Sequence, residues 1–147
     1  MVLIRSPGIN AGFKQQARSE PGLPPFQTST EASMQLLTPE HRATMLANGR
    51  RYQTDPDFEA MPVVKLFTPW AACTWLLTDL DPEDPDIASG LCDLGLGEPE
   101  LGSVRISEIE SLRGPLGLRA ERDVNFVAKE TIGTYAARAR IDGRIIA

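Results

Sequence analysis

The chain is poor in the residue types on which most metal and nucleophile sites depend. Its 147 residues include one histidine, His41, and two cysteines, Cys73 and Cys92. A single histidine without cysteine or acidic partners at ligand spacing disfavours a zinc site. Two cysteines cannot form the disulfide framework of a small secreted domain. The motif G-x-S-x-G of nucleophilic serines is also missing. The sequence therefore predicts no metal site and no cofactor.

Long apolar runs and basic stripes are missing as well. No apolar segment approaches the roughly 18 residues that span a bilayer, and the N-terminus has no signal-peptide core. We therefore expect a cytoplasmic protein without a membrane partner. Residues 34–101 carry four basic and twelve acidic side chains, whereas residues 102–147 carry eight basic and six acidic ones. Because the central region would repel phosphate, nucleic acid is a disfavoured partner.

The chain divides into two parts. Residues 1–33 contain several Pro and Gly pairs and show no sustained hydrophobic period, which predicts a poorly structured extension. Met34 opens a segment typical of the start of a domain and is an alternative initiator. A single α+β domain is predicted over residues 34–147, a usual domain length.

The fold prediction is an antiparallel sheet of about five strands with helices at each end. Thr38 and Pro39 begin a helix that Gly49 is expected to end. A capping box at Ser107 and Glu110 predicts a short helix between strands four and five. A C-terminal helix is predicted over residues 131–139, with Gly143 as its terminator, because helical spacing places four apolar residues on one face: Ile132, Tyr135, Ala136 and Ala139. The predicted strands are Pro62–Thr68, Thr74–Leu80, Ile87–Leu94, Gly102–Ile106 and Leu118–Val127.

An acidic cluster lies between strands two and three, where two prolines interrupt any ladder of hydrogen bonds. A hairpin turn there places Cys92 opposite Trp75 and Cys73 opposite Leu94, too far apart for a disulfide. The spacing of the acids does not match an EF-hand loop, so a solvated hairpin tip is favoured. A metal-dependent hydrolase is the alternative, and its candidate ligands are Asp79, Asp81, Glu98 and Glu100.

Two groups of residues are candidates for binding. Trp70 and Trp75 flank the connection between strands one and two, where exposed rings would anchor a partner or stack on bases, although core packing is favoured for Trp75. Arg113, Arg119 and Arg122 surround a Gly-Pro-Leu-Gly turn and indicate a binding rim, internal salt bridges or an anion site. With Arg105, these arginines are also the candidates for weak nucleic-acid binding.

Several short motifs occur in a fixed order between Met34 and Phe126. They are KLFTP (65–69), TWLLT (74–78), DPE (81–83), PELGSV (99–104), SEIE (107–110), RGPLGL (113–118) and ERD (121–123). Their order and spacing resemble the DUF2958 family of short bacterial proteins, which are often carried on plasmids, phages and conjugative elements. The resemblance implies a genomic setting and no reaction. We therefore expect an accessory or adaptor protein that binds another protein encoded by the same mobile element or by the host.

Overall fold

A computed structural model describes residues 35–147. The predicted extension 1–33 and the alternative start at Met34 lie outside the described residues. In chain order the elements are α1 (Pro39–Thr54), β1 (Val64–Phe67), β2 (Thr74–Leu80), β3 (Ile87–Asp93), β4 (Glu100–Arg105), α2 (Ile106–Ser111), a turn at Pro115–Gly117, β5 (Glu121–Arg122) and α3 (Ile132–Asp142). No helix among these residues is long and apolar enough to cross a membrane.

The strands form one antiparallel sheet in the order β4-β3-β2-β1-β5. The predicted α+β fold class is confirmed. The β2–β3 hairpin has the predicted register, because Cys92 pairs directly with Trp75. A bulge between Leu77 and Asp79 shifts the pairing by one residue near the turn. Both cysteines are free thiols.

Two apolar cores lie on opposite faces of the sheet. The first packs α1 and α2 against one face and includes the fully buried Trp75. The second packs α3 against Leu76 and Leu91 on the other face. The predicted apolar side of α3 is confirmed, because its buried residues are Ile132, Tyr135, Ala136 and Ala139. Gly143 ends this helix in the left-handed conformation, with φ 70°.

Helix α1 does not end at Gly49, and this prediction is wrong. The helix continues to Thr54, and Gly49 is buried within it. A Cβ atom on Gly49 would lie 2.0 Å from the carbonyl oxygen of Leu80. The glycine therefore allows α1 to approach β2 closely, and beside it the Asn48 side chain donates a 2.8 Å hydrogen bond to the Thr78 carbonyl.

The predicted cap of the short helix is also wrong. Helix α2 begins at Ile106, and Arg105 at its N-cap makes no side-chain capping bond. The Ser107 hydroxyl and backbone N–H instead donate to the two carboxylate oxygens of Asp86, at 2.6 and 2.9 Å. A carboxylate from the distant hairpin thus takes the place of the local cap.

Strand β5 is much shorter than the predicted Leu118–Val127. Only Glu121 and Arg122 pair with β1. Immediately afterwards the Asp123 carboxylate accepts a 2.9 Å hydrogen bond from the Asn125 N–H, and the Asp123 carbonyl accepts another from the Phe126 N–H. This turn directs the chain away from the sheet.

Candidate functional site

Three connections meet at one end of the sheet, which we call the loop end. They are residues 68–73 between β1 and β2, residues 94–99 between β3 and β4, and residues 112–119 between α2 and β5. A Cβ atom on Gly114 would lie 2.2 Å from the Trp70 ring, so the third connection lies directly on this indole. A Cβ atom on Gly95 would lie 3.0 Å from that of Ala72, which joins the second connection to the first.

The first connection is held by a buried threonine. Thr68 is 4% exposed; its hydroxyl donates to the Ala71 carbonyl at 3.2 Å and accepts from the Cys73 N–H at 3.3 Å. The Thr68 N–H also donates to the Cys73 carbonyl. These bonds close the loop that carries Trp70, so the indole lies on a well-defined backbone.

The second connection is held by a buried carboxylate. Asp93, which is 4% exposed, accepts hydrogen bonds from the N–H groups of Gly95 at 2.8 Å and Ile145 at 2.9 Å. The second bond ties the C-terminal residues to the loop end. A shallow groove beside this connection is lined by residues 97–101 and Arg140. Leu96, at the tip of the loop, is 80% exposed.

The third connection, residues 112–119, contains the most unusual backbone of the loop end. The Gly114 N–H donates to the Leu118 carbonyl at 2.7 Å, and the Leu118 N–H donates to the Pro115 carbonyl at 3.2 Å. Leu116 has φ 59° and ψ 22°, and Gly117 has φ 75°. The hydrogen bond between Leu118 and Pro115 encloses these two residues. Two successive residues with positive φ at such positions form a type I′ turn, in which Asn, Asp and Gly are favoured.

Leucine is an unfavourable residue at this position for two reasons. Among residues 35–147, Leu116 is the only non-glycine residue with positive φ, and the left-handed conformation costs an L-residue about 1–2 kcal/mol. Its side chain is also fully exposed, at 103% of the reference area. A strained backbone that displays an apolar side chain gains nothing for the fold, and backbone outliers of this kind cluster at functional sites. We call residues 113–119 the anchor loop.

The predicted binding residues have different positions. Trp70 is half-buried beneath the anchor loop, and Arg113 and Arg119 are exposed within it. One Arg113 nitrogen donates to the carbonyls of Glu110 and Leu112, both at 2.9 Å. Arg119 makes no hydrogen bond or ion pair with any described residue.

The two other predicted binding residues serve the fold. Trp75 is 0% exposed, so its position in the first core excludes it from an exposed aromatic anchor. Its indole nitrogen has no hydrogen-bond partner among the described residues. Arg122 is half-buried and donates to the carbonyls of Gln35 and Leu36, both at 2.9 Å. Its guanidinium therefore holds the residues that precede α1.

The arginines proposed for nucleic-acid binding do not form one basic surface. Arg105 forms ion pairs with Asp84 at 3.0 Å and Asp86 at 3.5 Å, on the hairpin opposite the loop end. Burial alone would raise the pKa of Asp86, but its hydrogen bonds from Ser107 and Arg105 lower it overall. Arg105 is thus engaged by carboxylates.

The four candidate metal ligands are also separated. Asp79 on β2 pairs with Ser89 on β3, and Ser89 pairs with Ser103 on β4. Glu100 precedes Ser103 by three residues on β4. That offset is about 10 Å along the strands. Asp81 and Glu98 lie beyond opposite ends of these strands. In the part of the chain that the structure describes, no group of three or more His, Cys, Asp or Glu residues is placed to hold a metal ion. Burial raises the pKa of Asp79, while the Thr78 hydroxyl, 2.6 Å away, opposes that increase.

The chain is similar in sequence to one protein family. The model of the family described as "Protein of unknown function (DUF2958)" matches residues 36–146, well over half of the 147 residues. No curated protein and no solved structure matches the chain significantly.

Proposed function

We propose that this chain, which belongs to the DUF2958 family, is a protein-interaction module that binds its partner through the anchor loop. Leu116 is the anchor residue, and it enters an apolar pocket on the partner. The observation that carries the proposal is the fully exposed leucine in a left-handed backbone conformation. The module acts in the cytoplasm as an accessory protein of a bacterial mobile genetic element. Its partner is encoded by that element or by the host.

The anchor loop has the rigidity that recognition requires. Its ends are joined by the Gly114–Leu118 hydrogen bond, and its base lies on the Trp70 ring. A preorganised loop loses little conformational freedom on binding, so more of the contact energy remains as affinity. Exposed Arg113 and Arg119 flank the leucine along the chain, and arginine is enriched in protein interfaces.

The contribution of Leu116 follows from its exposure. Burying a fully exposed leucine stabilises a complex by about 1.5–3 kcal/mol. Since 1.4 kcal/mol corresponds to a factor of ten in Kd, removal of this side chain should weaken binding roughly 10- to 100-fold. No comparable loss of folding energy is expected, because the side chain is fully exposed to solvent.

The test compares two substitutions of exposed apolar residues. Tagged wild-type protein, Leu116→Asn and Met61→Asn are expressed in a host that carries the natural element, and the co-purified proteins are quantified by mass spectrometry. Met61 is 44% exposed and lies before β1, at the opposite end of the sheet. We expect a stoichiometric partner with the wild type and Met61→Asn, and its loss with Leu116→Asn. Equal recovery of every protein by all three baits would contradict the proposal.

A direct measurement uses the two tryptophans. Trp70 is half-buried under the anchor loop, whereas Trp75 is fully buried. Addition of the purified partner should therefore change the emission of Trp70 and leave that of a Trp70→Phe variant nearly constant. An unchanged emission in the wild type, with binding established by calorimetry, would place the interface elsewhere.

A further inference from the structure

We infer that the N-terminus of α1 and the residues before it form a proton-sensitive clamp that opens when His41 is protonated. This inference is independent of the proposed partner binding. The clamp consists of the capping box of α1 and of the contacts that Arg122 makes with the preceding backbone.

The capping box uses histidine where glutamate or glutamine is usual. The Thr38 hydroxyl accepts a 3.1 Å hydrogen bond from the His41 N–H, and His41 Nδ1 accepts a 3.2 Å hydrogen bond from the Thr38 N–H. An imidazole nitrogen accepts a hydrogen bond only without its own proton, so the neutral ring carries its proton on Nε2. Protonation of Nδ1 converts this acceptor into a donor that faces the Thr38 N–H, which is also a donor.

Arg122 supplies the second half of the clamp. From β5 its guanidinium donates to the carbonyls of Gln35 and Leu36, both at 2.9 Å. Leu36 and Leu37 are buried in the first core, at 3% and 0% exposure. The arginine therefore holds the chain where it enters the core, directly before the helix that His41 caps.

The surroundings of His41 oppose its protonation. Burial lowers the pKa of its imidazole, the Arg122 cation lowers it further, and Glu40 on α1 acts in the opposite direction. The positive end of the α1 dipole also disfavours an imidazolium there. Since the folded-state pKa lies below the ordinary value of about 6.5, the neutral ring stabilises the fold above pH 6.5. This stabilisation is lost as the pH falls through the folded-state pKa.

Opening of the clamp would affect residues 35–38 first. Acid removes the bond between Thr38 and Nδ1 and places a second cation near Arg122. The effect reaches β5 through Arg122, because Glu121 and Arg122 are the residues that pair with β1.

The test exploits the presence of a single histidine in the full chain. Proton NMR of the His41 ring between pH 4.5 and 8.5 gives its pKa without assignment of other histidines. Amide hydrogen exchange over residues 35–41, corrected for intrinsic rates and compared with amides of β2 and β3, reports opening. We expect a midpoint below 6.5 and about fivefold less protection at pH 5.0 than at pH 7.5, the size of a lost helix cap of ~1 kcal/mol.

Two variants separate the clamp from general acid destabilisation. In His41→Gln the amide oxygen can accept the Thr38 N–H at any pH, so the difference in protection should disappear. In Arg122→Gln the His41 midpoint should move upward, because the nearby cation is gone. A His41 midpoint at or above 6.5, or the same loss of protection in His41→Gln, would overturn the inference.

Discussion

Replacement of Leu116 by Asn is expected to make the protein more stable and less able to bind. Leu116 and Gly117 occupy the central positions of a type I′ turn, for which Asn-Gly is the most favoured pair. The substitution leaves the turn, its Gly114–Leu118 hydrogen bond and the Trp70 contact in place. It therefore changes only the strain at residue 116 and the apolar side chain that the loop displays.

The expected gain can be worked from the φ angle and the exposure. A leucine at φ 59° carries about 1–2 kcal/mol of strain that asparagine largely avoids. The leucine is 103% exposed, so its removal forfeits almost no buried area. The free energy of unfolding should rise by about 1 kcal/mol. For a domain of this size, that corresponds to roughly 3–4 °C in Tm.

Leu96→Asn is the matched control for this prediction. Leu96 is another exposed leucine beside a glycine, at 80% exposure, but its φ is not positive. Because residue 96 carries no such strain, the Tm of Leu96→Asn should be almost the same as that of the wild type. Differential scanning calorimetry and urea unfolding measure both variants against the wild type. An unchanged or lower stability of Leu116→Asn, or an equal gain in Leu96→Asn, would refute the claim that strain is stored at residue 116.

Three further predictions concern the fold outside the anchor loop. Gly49→Ala should lower the free energy of unfolding by about 3 kcal/mol in urea titrations, because the new Cβ meets the Leu80 carbonyl; unchanged stability would contradict that contact. Asp93→Ala should cost about 1–3 kcal/mol and speed hydrogen exchange of the C-terminal residues, since two backbone N–H groups lose their acceptor. Burial raises the pKa of Cys92 to about 12, so at pH 8 a maleimide should label the half-buried Cys73 far faster than Cys92. Equal labelling rates for the two cysteines would refute this prediction.

The sequence was informative where structure depends on neighbouring residues. The proline-bounded acidic turn predicted the β2–β3 hairpin and its pairing of Trp75 with Cys92. The spacing of four apolar residues predicted the buried side of α3. Thr38 and Pro39 predicted the start of α1, where the N-cap bond is present. In each case the signal and the structure that it specifies lie within about ten residues.

Two of the wrong predictions have the opposite property. Glycine often terminates a helix, but Gly49 instead allows a close contact between α1 and the Leu80 carbonyl on β2. Ser107 has the spacing of a helix cap, but Asp86 binds it from the hairpin. Both outcomes depend on a contact between residues more than 20 positions apart, and no local pattern encodes such a contact.

Only part of the candidate site was predicted from the sequence. Arg113, Arg119 and Trp70 were identified as binding candidates from residue type, and the structure places them around one loop. Leu116 was not identified, because leucine gives no local indication of a positive φ. The Gly-Pro-Leu-Gly sequence nevertheless predicts a turn. The apolar residue at its centre does not belong to the hydrophobic pattern of any neighbouring helix or strand.

The location of the anchor loop follows from how the two faces of the sheet are used. Helices α1 and α2 cover one face, and α3 packs against the centre of the other. The hairpin at one end carries carboxylates that Arg105 and Ser107 engage. At the opposite end, hydrogen bonds to backbone groups hold the loops, and Leu96, Leu116 and Arg119 are exposed. We therefore propose that a partner is recognised by the loops at this end of the sheet, because the central strands and helices are committed to the two cores.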